Sequence, residues 1–167
     1  MQSTSRENPT MKTRLAAALA AVVLGACATT PAPAPITDIA ARTPELSTLS
    51  RLIGEAGLAD TLRGAGPYTV FVPSNEAFKA VPAATMQELA GNKDMLRSVL
   101  SFHVVPGKVT AAEARPGNVK TVQGANVALS KSGAFVTVED AVVIQADVGA
   151  GNGVIHVIDR VLMPPRR

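Results

Sequence analysis

The sequence predicts an α+β domain whose sheet is largely antiparallel. Apolar residues recur at helical spacing in the first half of the chain, and short alternating segments separated by turn residues fill the second half. Helices that precede the strands, instead of alternating with them, are typical of this fold class. The chain has 167 residues, and after removal of an N-terminal segment its length suits one domain of ~100–200 residues.

The helical half begins with Leu46, Leu49, Leu52 and Ile53, whose spacing predicts an amphipathic helix that ends near Gly57. A short turn of helix follows at residues 58–62. Ser74 or Asn75 is suited to cap a helix that runs through Phe78, because short polar side chains accept hydrogen bonds from the first free N–H groups. Two more helices are predicted at residues 85–90 and 93–100.

The strands are predicted from β-branched or aromatic segments that end at Gly, Pro, Asn or Asp. They are residues 68–72, 102–105, 119–122, 126–129, 135–138, 142–145, 154–158 and 161–163. In residues 154–158 both faces of the strand are apolar apart from His156, which favours a central position in the sheet. Asn152-Gly153 supplies the turn before this strand. Asp159 follows it, where a carboxylate can accept backbone N–H bonds.

The N-terminus is predicted to be an export signal that ends at a lipid-attachment cysteine. Lys12 and Arg14 precede an apolar run at residues 15–24, which is about half the length of a membrane-spanning helix. Leu24-Gly25-Ala26-Cys27 resembles a lipobox, so residues 1–26 are interpreted as a signal peptide and Cys27 as the lipidated N-terminus of the mature chain. Residues 1–10 are interpreted as a start-site artefact before Met11.

The segment after Cys27 is predicted to be a spacer. Its sequence ATTPAPAP, residues 28–35, is rich in Pro and Ala and favours extended polyproline II structure. By analogy with Gram-negative lipoproteins, Ala28 favours the outer membrane over retention in the inner membrane. The expected location is therefore the cell envelope, with the domain in the periplasm or at the cell surface.

Charge and composition argue against nucleic acid as a partner. The formal net charge is +3, and because three cations and one anion precede Cys27, the mature chain would carry +1. A nearly neutral domain lacks the basic footprint of a nucleic-acid-binding protein. The chain has no Trp, one Tyr and four Phe, too few aromatic rings to form a base-stacking platform.

Three segments resemble the signatures of the fasciclin (FAS1) domain family, in the family's order and spacing. Residues 66–78 (GPYTVFVPSNEAF) resemble its first signature, residues 102–107 (FHVVPG) its Tyr-His motif, and residues 152–164 (NGVIHVIDRVLMP) its closing signature. The motif residues are Asn75, Phe78, Pro106, Gly107, Asn152, Gly153, His156 and Asp159.

The resemblance implies a FAS1-like wedge-shaped β-sandwich with a set of helices packed on it, spanning residues 36–165. It also implies a non-enzymatic role, without a cofactor, in adhesion or in contact with a protein or matrix partner. Phe102 stands where the family's motif has Tyr, so any contact made by that hydroxyl in relatives is absent.

Four residues are predicted to contribute to an interaction surface, namely Phe102, His103, Asn92 and Asp94. Phe102 and His103 form the Tyr-His-like motif. Residues 92–96 (NKDML) resemble a segment to which integrin binding has been attributed in animal FAS1 domains. The alternative for this segment is structural: Asn92 caps a helix whose Met95, Leu96 and Val99 pack inward.

The alternative function is a periplasmic module that binds a small ligand or metal through His103 and His156. A catalytic zinc site normally takes three protein ligands, and no third ligand stands out at a recognisable spacing. The competing interpretation makes both histidines core residues bonded to backbone groups. A hydrolase is disfavoured because the chain has no Gly-x-Ser-x-Gly elbow.

Overall fold

The computed structural model describes residues 33–165. The predicted export signal, Cys27 and residues 28–32 of the predicted spacer lie outside these residues. The described chain begins with helices and ends with strands, as predicted. The helical elements are α1 (Ile36–Arg42), a 3₁₀ turn (Pro44–Leu46), α2 (Ser47–Glu55), α3 (Ala59–Arg63), α4 (Asn75–Lys79), α5 (Ala83–Gly91) and α6 (Lys93–Phe102).

Seven strands form one mixed sheet in the order β2-β1-β7-β6-β5-β4-β3. Only β1 and β7 pair in parallel, and the other neighbours are antiparallel. After β3, the Val122 N–H donates to the Val104 carbonyl at 2.8 Å, which brings the two edges together and nearly closes the sheet. The strands are β1 (Tyr68–Pro73), β2 (Val104–Pro106), β3 (Gly117–Lys120), β4 (Asn126–Ser132), β5 (Phe135–Val138), β6 (Ala141–Ala150) and β7 (Gly153–Ile158).

The central strand β7 separates two hydrophobic clusters. Ile155 and Val157 face a cluster that contains the apolar residues of α2, α3 and α6. Ile158 faces a second cluster, which β4 and β5 complete with Val127, Leu129 and Val138. Because alternate residues of a strand point to opposite faces, the helices and the β4–β5 hairpin lie on opposite sides of β1 and β7. The predicted α+β class and the central position of residues 154–158 are confirmed.

Three predicted elements differ from the structure. Phe102 is the last residue of α6 and not part of a strand, and its ring packs into the second cluster. Residues 161–163 are not a strand, because the Leu162 N–H donates to the side chain of His103 and not to a neighbouring strand. β6 continues through the glycine-rich break to Ala150, because Gly149 and Ala150 still pair with β7.

One helix was not predicted at all. In α1, the buried Ile36 begins the helix, and its backbone N–H donates to Asn152 Oδ1 at 3.0 Å. The capping group is therefore 116 residues away in the chain, beyond the reach of local capping rules. Within residues 33–165, no helix combines the length and apolar character needed to cross a bilayer.

Candidate functional site

A mainly apolar groove of about 820 Å³ lies between helices and the C-terminal segment of the described chain. One wall comes from α4, the turn after it and α5, the floor from α6, and the other wall from the C-terminal segment, residues 160–165. Apolar side chains predominate, including Val81, Met95 and Met163. Met163 is 41 % exposed, the most accessible large apolar side chain of the groove. We call this feature the helical groove.

Local sequence places the helices that line the helical groove. Ser74 Oγ accepts a hydrogen bond from the Ala77 N–H at 3.2 Å and so caps α4. Pro82, which cannot continue a helix, separates α4 from α5. Asn92 Oδ1 accepts from the N–H groups of Asp94 (3.1 Å) and Met95 (3.0 Å) and begins α6. Asn92 therefore caps α6, as the structural alternative for this segment predicted.

His103 joins the floor of the helical groove to its C-terminal wall. Its Nδ1 donates to the Val99 carbonyl at 2.8 Å, and its Nε2 accepts from the Leu162 N–H at 2.9 Å. This pattern requires the neutral ring with the proton on Nδ1. Burial lowers the pKa of His103 from 6.5 to about 4, because the charged form loses its hydration. The ring is thus a structural link between α6 and residue 162.

His156 is engaged in a similar way elsewhere in the core. Its Nε2 donates to the Val109 carbonyl at 2.8 Å, and its Nδ1 accepts from the Asp147 N–H at 3.3 Å. Its ring stacks on Phe71, with ring centroids 5.6 Å apart. Both nitrogens of both histidines are therefore bonded to backbone groups. Among residues 33–165, no three His, Asp or Glu side chains come together as a metal-binding group.

Asn152 connects the start of β7 to two other segments, the start of α1 and the end of α3. Its Nδ2 donates to the carbonyls of Leu62 (2.6 Å) and Gly64 (3.1 Å), in addition to the bond from Ile36 N–H to Oδ1. The next residue, Gly153, has no room for a side chain, since a Cβ there would collide with the backbone of Tyr68. The Asn-Gly pair thus permits β1 and β7 to begin side by side.

The remaining motif residues also form hydrogen bonds or packing contacts within the domain. Asn75 Oδ1 accepts from the Thr48 N–H (3.2 Å) in the first turn of α2, and Nδ2 donates to the Pro44 carbonyl (2.9 Å). Phe78 belongs to the helical cluster. Asp159 Oδ1 accepts from the Val142 N–H at 2.7 Å, the kind of bond that the sequence predicted.

Pro106 ends β2 and is exposed. Gly107 has φ +107°, a left-handed conformation that favours glycine. Its carbonyl accepts from Thr69 Oγ1 at 2.7 Å, so the Pro-Gly pair both ends β2 and connects it to β1.

The four predicted interaction residues divide into a buried and an exposed pair. Phe102 and His103 are 1 % and 2 % exposed, so a partner on the surface of this conformation could contact neither ring. Any effect of these two on binding would be indirect, through the position of α6. Asn92 and Asp94 are exposed and therefore accessible. That they contact a partner stays a prediction.

The helical groove itself was not predicted as a site. Met95 and Val99 were assigned to the core and residues 161–163 to a strand, yet together these residues line the groove. Three successive apolar residues before Pro164-Pro165 were the available signal, because a proline pair cannot extend a sheet. The only charged residues of the groove are Glu88 and Arg160, one of each sign, so its recognition capacity is mainly apolar.

Comparison with known proteins agrees with this fold. The family model of the fasciclin domain matches residues 44–164. The chain belongs to the fasciclin domain family. This fasciclin domain is 46 % identical over 132 residues to Protein sll1483 of Synechocystis, covering 78 % of this chain and 73 % of that protein.

Two further similarities concern a mycobacterial protein and an insect structure. The domain is 36 % identical over 136 residues to Cell surface glycolipoprotein MPB83 of Mycobacterium bovis, covering 78 % of this chain and 61 % of that protein. The solved FAS1 domain pair of the insect cell adhesion molecule Fasciclin I matches with a TM-score of 0.62 at 17 % identity, over 78 % of this chain and 51 % of that one. The fold predicted from the three signatures is confirmed.

Proposed function

We propose that this fasciclin domain is a non-enzymatic interaction module that binds a protein or matrix partner in the helical groove. The observation that carries the proposal is the groove itself: a concave, mainly apolar surface whose walls belong to three segments of the fold. Large accessible apolar surfaces on a soluble domain mark interaction sites. The polar side chains of the motifs support this interpretation, because they bond to backbone groups within the domain and form no constellation for catalysis.

We further propose that the domain is held at the cell envelope by a lipid on Cys27, with the outer membrane as the favoured location. The lipobox-like residues 24–27 and the Pro- and Ala-rich spacer support the tether. A relative whose name is Cell surface glycolipoprotein MPB83 supports it independently. Intact-mass measurement of the membrane-extracted protein should show acylation that a Cys27→Ser variant lacks.

Site-specific photo-crosslinking on intact cells tests the groove. A photoreactive residue at Met163 should capture one dominant partner, whereas the same residue at the exposed Ser130 of β4 should not. Adding Val81→Glu should reduce capture from position 163 by about tenfold, because it places a charge in the apolar wall. Equal capture from both positions, or capture unaffected by Val81→Glu, would contradict the groove as the binding site.

A second candidate is an apolar small molecule bound in the same groove. The volume of about 820 Å³ lies within the range of ligand pockets, ~300–1,000 Å³. Native mass spectrometry of the protein from its own cells distinguishes the two: a stoichiometric ligand that Val81→Glu displaces would favour this candidate. The two histidines are not part of it, since their ring nitrogens are already bonded.

A further inference from the structure

The most exposed large apolar side chains of the described chain belong to β5 and β6, which contribute no residue to the helical groove. Phe135 is 69 % and Ile144 is 59 % exposed. β5 and β6 pair Val138 with Ala141 and Thr137 with Val142, and Phe135 and Ile144 each lie two residues beyond the last of these pairs, towards the same end of the two strands. We call these two residues the exposed pair. Their side chains share one face of the sheet, because Ala141 and Val143 between them point into the second cluster.

The exposed pair lies on the side of the sheet that no helix covers. Val136 and Val138 of β5 are buried, so Phe135 points outward, away from the second cluster and from the helices beyond it. Phe135 begins β5 directly after the Gly133 turn, which places it at the end of the β4–β5 hairpin. None of the residues in β3, β4 and β5 is acidic, and the exposed carboxylates of Glu139 and Asp140 lie in the turn at the opposite end of β5 from Phe135. Asp147 lies three residues beyond Ile144 in β6.

The chain that leads to the proposed lipid joins the domain within reach of this face. Pro33 and Ala34 lie against Gly151, whose N–H donates to the Ala34 carbonyl at 2.9 Å. In extended polyproline II geometry, at ~3.1 Å per residue, the six residues that separate Cys27 from Pro33 would span only ~19 Å. A domain of this length has a diameter of ~36 Å, so the tether is shorter than the domain it holds.

The distance along β6 from the exposed pair to this attachment point is about equal to the length of the tether. Ile144 precedes Ala150, the end of β6, by six residues, which corresponds to ~20 Å of strand. A domain held this closely stays within reach of the bilayer, and the exposed pair offers an apolar surface beside strands β4 and β5, which contain no acidic residue.

We propose that the exposed pair inserts into the lipid surface and so orients the domain with the helical groove facing away from the bilayer. The proposal rests on the proposed lipid tether at Cys27. Its chemistry is that of an interfacial anchor: an aromatic and a branched aliphatic side chain at the end of a hairpin enter the boundary between headgroups and acyl chains. The tether supplies the attachment, and the pair supplies the orientation.

The composition of the chain provides a direct test. It contains no Trp and a single Cys, so Phe135→Trp creates one fluorophore, and Cys27 can be coupled to a maleimide lipid in vesicles. With acyl chains brominated near the headgroups, emission from position 135 should fall roughly twofold or more, since interfacial side chains lie ~5–10 Å deep. The matched control, Met163→Trp in the helical groove, should be quenched much less.

Because Cys27 is coupled to the lipid chemically, insertion of the exposed pair can be tested separately from the proposed native lipid tether. Absence of a native lipid on Cys27 would contradict the proposed tether, yet leave the quenching of coupled protein measurable. Adding Ile144→Ser to Phe135→Trp should reduce the quenching, with the circular dichroism spectrum unchanged. Equal quenching at positions 135 and 163, or none at 135, would overturn the proposal. So would a concentration-dependent blue shift at 135 without vesicles, which would assign the pair to a contact between two copies.

Discussion

The helical side and the uncovered side of this fasciclin domain differ in how they are held. On the helical side, Asn152, Asn75 and His103 bond to backbone groups of distant segments. On the uncovered side, β3, β4 and β5 are held mainly by strand pairing, and their outward side chains are small, polar or freely exposed. The difference teaches that the motif polar groups hold the helices to one another and to the sheet, whereas the exposed pair has little role in folding.

The largest expected effect comes from Asn152, whose side chain holds the helical side to β7. Asn152→Ala removes three hydrogen bonds and leaves partly buried backbone groups unpaired. We expect the free energy of unfolding to fall by about 3 kcal/mol, measured by urea denaturation. Asn126→Ala, at an exposed position of β4, is the control and should change it by less than ~0.5 kcal/mol. Equal effects would contradict the comparison.

A smaller effect is expected from pH, through His103. Its pKa is about 4 in the folded domain, against 6.5 for a histidine without these surroundings, so the unfolded chain takes up the proton first as pH falls. Stability is therefore lost as pH falls from about 6.5 towards 4, and this site should contribute a loss of about 2 kcal/mol between pH 7 and pH 5.

Denaturation of wild type and His103→Gln at both pH values isolates this contribution, because glutamine does not titrate. The wild-type protein should lose more stability than the variant over this interval. The protection factor of the Leu162 amide against hydrogen exchange, which corrects for the intrinsic rate at each pH, should fall in parallel, since that N–H donates to the ring. A pH dependence identical in both proteins would show that His103 does not link α6 to the groove wall.

The smallest expected effect separates capping from binding at Asn92. Asn92→Ala removes the two bonds that begin α6 and should cost about 1 kcal/mol, whereas Asn92→Ser retains a capping oxygen and should cost much less. Capture of a partner from position 163 should be unchanged by Asn92→Ser. Loss of capture with normal stability would instead support direct contact through the segment that begins at Asn92.

Motifs and local patterns were sufficient to predict much of the fold. The Ser74 cap of α4, the strand at residues 135–138 and the central position of β7 follow from residues that are neighbours in sequence. Local patterns could not predict α1, because its first N–H is capped by Asn152 from the other end of the domain. For the same reason they assigned residues 161–163 to a strand, although His103 holds Leu162.

The sequence by itself determined the family, the α+β class and the central position of β7, because these depend on motif spacing and on the apolar character of neighbouring residues. The structure alone decided what the polar groups of the motifs do and where the accessible apolar surface lies. The sequence shows only that His103 and Asn152 are polar. Their position beside backbone groups that otherwise have no partner makes them structural links. The helical groove and the exposed pair exist because segments far apart in the chain meet, and no local pattern contains that information.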